Sequence, residues 1–187
     1  MSTTVQTMTA DELFVMPEDG FLYELVKGEL RKMSPPGSEH GMLVARLTIA
    51  LGSHVEAHDL GVTFGAETGF KLASNPDTVL APDFAFISNE RIPETGIPVA
   101  YWPGGPDLAV EVISPGNSRR EMEEKIREYF AAGVRMVWMV YPKRRTVTVH
   151  RAGIEAVTLT ETDALDGQDV VPGFRYSIAK LFAARNK

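Results

Sequence analysis

The sequence predicts an α/β fold, a mixed β-sheet flanked by helices with additional β-hairpins, built as a single domain over residues 1–187. Three observations carry this. Residues 38–61 and 118–133 each open on a helix-start signal and carry a broad apolar stripe at helical spacing. Short β-runs stand at 83–88, 108–113 and 134–141, the last two so nearly continuous in apolar residues that they match strands buried on both faces. The pairs 21–26 with 29–33, and 134–141 with 146–151, are separated by turn-forming residues and read as hairpins.

Taken in order, Thr9-Ala-Asp-Glu12 is a capping box that starts a short helix through Leu13, Phe14 and Met16, stopped by Pro17. Lys27-Gly28 splits the first hairpin, and Pro35-Pro36-Gly37 ends it. Ser38 is expected to cap the long helix, whose face is Met42, Leu43, Leu47, Ile49, Ala50, Leu51 and Val55. Strands follow at 62–64 and 69–73, with a turn at Asn75-Pro-Asp77. The Pro- and Gly-rich stretch 92–106 is expected to be a loop pinned by Tyr101 and Trp102. Ser118-Arg-Arg-Glu121 is a second capping box, and Gly133 supplies a left-handed stop. Thr146–Arg151 alternates with period 2, one face of it wet; β-signal recurs at 155–160, and 177–183 reads as a closing helix.

With 44% hydrophobic and 24% charged residues, the chain has enough apolar side chains to fold without disulfide or structural metal. It has no cysteine, which excludes thiol catalysis and cysteine-bound zinc or iron–sulfur clusters. Residues 1–10 lack a basic segment followed by an apolar one, and no stretch approaches the ~18 apolar residues of a membrane span. The expectation is a cytoplasmic protein with no membrane partner. A net charge of -6 argues against nucleic-acid binding through overall charge, so any DNA contact must be local.

Two acidic residues stand where strand physics disfavours them. Asp83 opens a β-run behind Pro82, and Glu111 lies inside the most hydrophobic strand. A buried carboxylate is costly unless compensated, so each needs an ion pair, a backbone hydrogen bond or a shared divalent cation. Hard oxygen ligands of this kind suit Mg2+ or Mn2+. Asp107 shares the face of Glu111 but would stand about 13 Å away along the strand, too far to ligate the same ion. Asp83 can lie directly opposite Glu111 on a neighbouring strand.

A hydrolytic site of this type also needs a cation to position water and offset charge on phosphorus. Where a lysine would follow the acid by two residues on the strand, the sequence has Ile113. The capped helix offers Lys125, flanking the stripe of Met122, Ile126, Tyr129 and Phe130, from which its ammonium can snorkel over the end of the sheet. Arg119 is the rival, and an ordinary solvated helix face is the alternative for both.

Tyr23-Glu-Leu-Val-Lys-Gly-Glu-Leu30, Ser34-Pro-Pro-Gly-Ser-Glu-His40, Ala81-Pro-Asp-Phe-Ala-Phe86, Pro106-Asp-Leu-Ala-Val-Glu-Val-Ile-Ser-Pro115, Glu124-Lys-Ile-Arg-Glu-Tyr129 and Leu165-Asp-Gly-Gln-Asp-Val-Val-Pro-Gly-Phe174 together resemble the Uma family, bacterial proteins placed among the PD-(D/E)XK nucleases. The resemblance covers nearly the whole chain and implies a restriction-endonuclease-like fold. It implies that Pro82-Asp83 is the first catalytic element, Glu111 the acid of the second, and Lys125 a lysine moved from strand to helix. Glu24 would be a further acid near the site, or else a hairpin surface residue. His40 would contact phosphate or assist water, or else be a plain polar residue of a first helical turn.

The expected chemistry is hydrolysis of DNA phosphodiesters, with Asp83 and Glu111 as ligands of Mg2+ or Mn2+ and Lys125 orienting water. Arg119, Arg120 and Arg127 around one helix, and Lys143, Arg144 and Arg145 on the hairpin, are the candidate DNA contacts. The alternative is a non-catalytic binder of nucleic acid or protein on the same fold. The apolar hairpin and an exposed Tyr101-Trp102 loop point to a homodimer, whose two sites would suit double-strand cutting.

Overall fold

The structure, a computed structural model, describes residues 7–184. Residues 1–6 and 185–187, and with them most of the stretch read for a leader, lie outside the described residues. The chain opens with α1 (Ala10–Phe14), held by the Thr9/Glu12 capping box. The first hairpin is β1 (Leu22–Val26) and β2 (Glu29–Met33). Lys27 and Gly28 both take positive φ, 52° and 80°, the two-residue turn whose twist matches that of paired strands.

Next come α2 (Ser38–Ala57), β3 (Gly61–Gly65), β4 (Phe70–Ala73), β5 (Thr78–Leu80) and β6 (Phe84–Ser88). The second half holds β7 (Trp102–Pro103), β8 (Leu108–Val112), α3 (Arg119–Ala131), β9 (Met136–Tyr141), β10 (Thr146–Arg151) and β11 (Ile154–Leu159). It closes with β12 (Ala164–Asp166), β13 (Arg175–Ser177) and α4 (Ile178–Leu181).

The main sheet has the order β11-β10-β9-β8-β6-β3. Its one parallel pair is β8–β9, joined through α3, as a parallel pair requires a crossover. Period-2 alternation along β8 decides which residue meets which layer. Leu108, Val110 and Val112 face the core shared with Leu43, Leu47, Leu51 and Val55 of α2 and Phe84 and Phe86 of β6. Ala109 faces the other core, with Met122 and Tyr129 of α3, and Glu111 shares that side. A second sheet, β2-β1-β5-β4-β7, packs over this side through Val26, Phe70, Leu72, Leu80 and Trp102. Three layers thus meet around the end of β8 that carries Glu111.

Several expectations are corrected. The N-cap of α2 is Gly37, with no side-chain bond, and Ser38 is already helical. Met42 and Ile49 point outward, Ile49 being 69% exposed, because the α2 stripe that meets the sheet is the narrower 43/47/51/55 set. Segments β5, β12 and β13 were not anticipated, three residues each being too short to show a period. The 92–106 stretch contains β7, which pairs in parallel with β4. Trp102 is accordingly only 4% exposed, and the Tyr101 ring packs edge-on against Phe14 with centroids 5.3 Å apart. That loop offers no exposed aromatic surface for a homodimer.

Candidate active site

The register Phe84↔Val110 between antiparallel β6 and β8 puts Asp83, one residue before β6, opposite Glu111. The Asp83 carboxylate extends this pairing, its Oδ2 accepting from the Val112 amide at 2.7 Å. From the other side of the sheet His40, in the first turn of α2, brings Nε2 to 3.2 Å from the same oxygen. His40 Nδ1 is buried without a partner.

Glu111 is 6% exposed, at the end of an otherwise apolar strand. Two donors from α3 converge on its Oε1: Lys125 Nζ at 3.1 Å and the Tyr129 hydroxyl at 2.6 Å. They come from one helix face, at i and i+4. The Ser118/Glu121 capping box starts α3 at Arg119 and so sets its rotation on the sheet. Glu24, 3% exposed on β1, receives Lys125 Nζ at 2.8 Å and the Ala81 amide at 3.2 Å on Oε1. It is not a surface residue of the hairpin, because β1 lies inside the second sheet between β2 and β5.

Two carboxylates, Glu24 and Glu111, therefore share one lysine, and the third, Asp83, is met by His40 and the Val112 amide. Burial pushes the Glu111 carboxyl up to about 7; Lys125 opposes the rise, while Glu24 and Asp83 add to it. Lys125 shows the converse. Burial disfavours its charge, yet Glu111 and Glu24 overcome that and hold the ammonium above its ordinary value. The hydrogen bond to Asp83 raises His40 against the effect of burial. Burial, reinforced by Glu111 and Glu24, lifts the Tyr129 phenol well above its usual range, so it stands as a donor.

The structure thus brings together Asp83, Glu111, Lys125, Glu24 and His40. Arg119 is not in the cluster; it is exposed and paired with Glu123 at 2.8 Å. Among the other basic candidates, Arg145 is occupied by Glu161 at 2.5 and 2.6 Å. Arg120, Arg127, Lys143 and Arg144 are exposed. Tyr129, which reads from the sequence as part of the apolar stripe, also belongs to the cluster through its hydroxyl. The available signal was its i+4 spacing from Lys125, since a buried phenol needs a hydrogen-bond partner. Arg31, which nothing in the sequence singles out, stands opposite Glu24 in the hairpin register and bonds Glu124 at 3.0 Å.

Among the described residues, no group of three or more His, Cys, Asp or Glu side chains is arranged to hold a metal ion, and no helix is long and apolar enough to cross a membrane. No curated protein matches the chain. A crystal structure described as "a putative nuclease belonging to DUF820 from Anabaena variabilis" is similar in fold, with a TM-score of 0.82 at 24% identity over 94% of this chain and 97% of that one. The family model Uma2, described as "Putative restriction endonuclease", matches residues 10–179. That match spans every element that delivers a residue to the carboxylate–lysine cluster, from α1 to the start of α4, and on it the chain belongs to the Uma2 family.

Proposed function

We propose that the protein is a metal-dependent endonuclease hydrolysing phosphodiester bonds of DNA. One observation carries the reading: Asp83 accepts from the Val112 amide, the residue after Glu111 on the neighbouring antiparallel strand, with a helix-borne lysine 3.1 Å from Glu111. This combines the acids of the family's catalytic pattern with the lysine transposed from β8 to α3. The donor set is compatible with Mg2+ or Mn2+, which need only one or two carboxylates and otherwise keep water ligands. Asp83 Oδ2 and Glu111 Oε1 are engaged, while the second oxygen of each has no hydrogen bond among the described residues. The excess of acids over cations is the electrostatic condition a divalent ion relieves.

Asp83 and Glu111 would hold the ion, which when bound supplies Lewis acidity and a more acidic water. Lys125 spends two of its three N–H donors on Glu24 and Glu111, leaving the third for water or a phosphate oxygen. Glu24 holds that ammonium in place, and His40 orients Asp83. Arg120, Arg127, Lys143 and Arg144 would contact the DNA backbone, with smaller contributions from the paired Arg119 and Arg145. Supercoiled plasmid incubated with Mg2+ should be nicked or linearised by the wild type and left intact by Glu111→Gln. Equal cleavage by both would end the proposal.

A non-catalytic nucleic-acid- or protein-binding role is the second reading, favoured by the net charge of -6 and by the two carboxylates already on Lys125. It requires binding that EDTA does not weaken and no cleavage with either metal. A homodimer would supply two cuts for a duplex. Sedimentation at the 20.5 kDa monomer mass alone would exclude it.

A further inference from the structure

We propose that Tyr129 is a positioning residue that holds the Glu111 carboxylate in one orientation and so presents its free oxygen for metal binding; the metal part of this rests on the proposed nuclease reading. Tyr129 is fully buried, and its ring packs in the core between α3 and both sheets. A phenylalanine would fill that space equally well. A buried hydroxyl without a partner is costly, so the phenol is explained by what it donates to, which is Glu111 Oε1 at 2.6 Å.

Lys125 reaches the same oxygen but cannot set its orientation alone. Its ammonium sits on a stem of four rotatable bonds and is shared with Glu24, to which it makes the shorter contact. The phenol moves about only two side-chain torsions, both restrained by packing, and makes the shorter of the two bonds to Oε1. Together the i and i+4 side chains of α3 fill Oε1 and leave Oε2 free of hydrogen bonds among the described residues. Neither Asp83 nor Glu24 has an equivalent phenolic partner there. Outer partners of this kind orient a carboxylate ligand, and losing one typically weakens metal affinity by about 10–100-fold.

The test is Tyr129→Phe, read in two ways. In crystals grown with EDTA, the Glu111 side chain should rotate or split into several conformers; an unchanged Glu111 would overturn the inference. By calorimetric titration, Mn2+ affinity should fall about 10–100-fold while KM for DNA stays at its wild-type value. Unchanged Mn2+ affinity also overturns it. If the wild type itself binds no Mn2+, the nuclease reading fails, and the orientation of Glu111 in the EDTA crystals alone decides the role of Tyr129. Should Tyr129→Phe not fold, Tyr129→Phe combined with Glu111→Gln decides. Recovery of folding means the hydroxyl serves Glu111, and continued failure means it serves packing.

Discussion

The two ends of β8 each carry a buried acid on the same face, and they are built in opposite ways. Asp107, 1% exposed, just precedes the strand. Its Oδ2 accepts from the Ser88 amide at 2.8 Å, and Arg91 and Arg135 stand 3.4 and 3.8 Å from Oδ1. One acid there has two cations. At the other end Glu111 and Glu24 share Lys125, and Asp83 has His40 beside it, so three acids meet one lysine and one histidine. A buried acid with surplus cations is compensated within the fold and is inert in this sense; acids that outnumber their cations retain an unmet demand for positive charge. That asymmetry, more than burial itself, separates a structural carboxylate from a candidate catalytic one.

Neutralising an acid at the Glu111 end should have the largest effect. Glu111→Gln and Asp83→Asn should each cut Mg2+-dependent plasmid cleavage by ~1000-fold or more, yet leave melting temperature in EDTA equal or higher, since like charges are removed. A large loss of stability in both would make the acid-rich end structural too. Lys125→Ala should lower turnover by ~100-fold, with Mn2+ affinity nearly unchanged. Full activity there would remove the lysine from the chemistry.

The pH dependence of stability distinguishes the ends without any metal. Glu111 is raised from 4.5 to about 7, so the folded state holds a proton that the unfolded state has released between those values. Stability in EDTA is thus greatest below about pH 4.5 as far as this group is concerned, and falls as pH rises through 7. Denaturant titrations from pH 5 to 8 should show that slope in the wild type and lose most of it in Glu111→Gln; an unchanged slope would place the titration elsewhere.

Asp107→Asn should destabilise the protein by about 2 kcal/mol, less than a fully buried pair because both arginines keep partial access to water, and should leave cleavage per folded molecule unchanged. A specific loss of cleavage would erase the distinction. Ser118→Ala should cost about 1 kcal/mol by removing the α3 cap, with a modest drop in turnover because Lys125 lies within the second turn. An unaltered melting temperature would show that sheet packing alone holds this end of the helix.

Much of this site was legible in linear form. The carboxylates announced themselves by standing in β-runs that should be apolar, and the Ser118 capping box set the rotation of α3 that makes Lys125 a neighbour of Glu111. Glu24 was ambiguous because the edge or centre position of a hairpin depends on a partner far away in the chain, here β5. Tyr129 was hidden because an amphipathic stripe marks which residues are buried, not which of them meets a polar atom. Trp102 is buried and not exposed for a related reason: two residues of β7 carry no periodic signal, and only their pairing with β4 buries the ring.

Local chemistry along the chain determined the helices, the hairpin turns, the principal strands and the two anomalous acids, because caps, periodicity and turn residues act over a few positions. The partition of charge was decided only in three dimensions. Which acid is matched by arginines and which shares a lysine depends on strand order, on the face chosen by alternation and on the packing of the second sheet over α3. Coulombic compensation is set by distance in space, and residues 24, 40, 83, 111, 125 and 129 are neighbours in the fold alone.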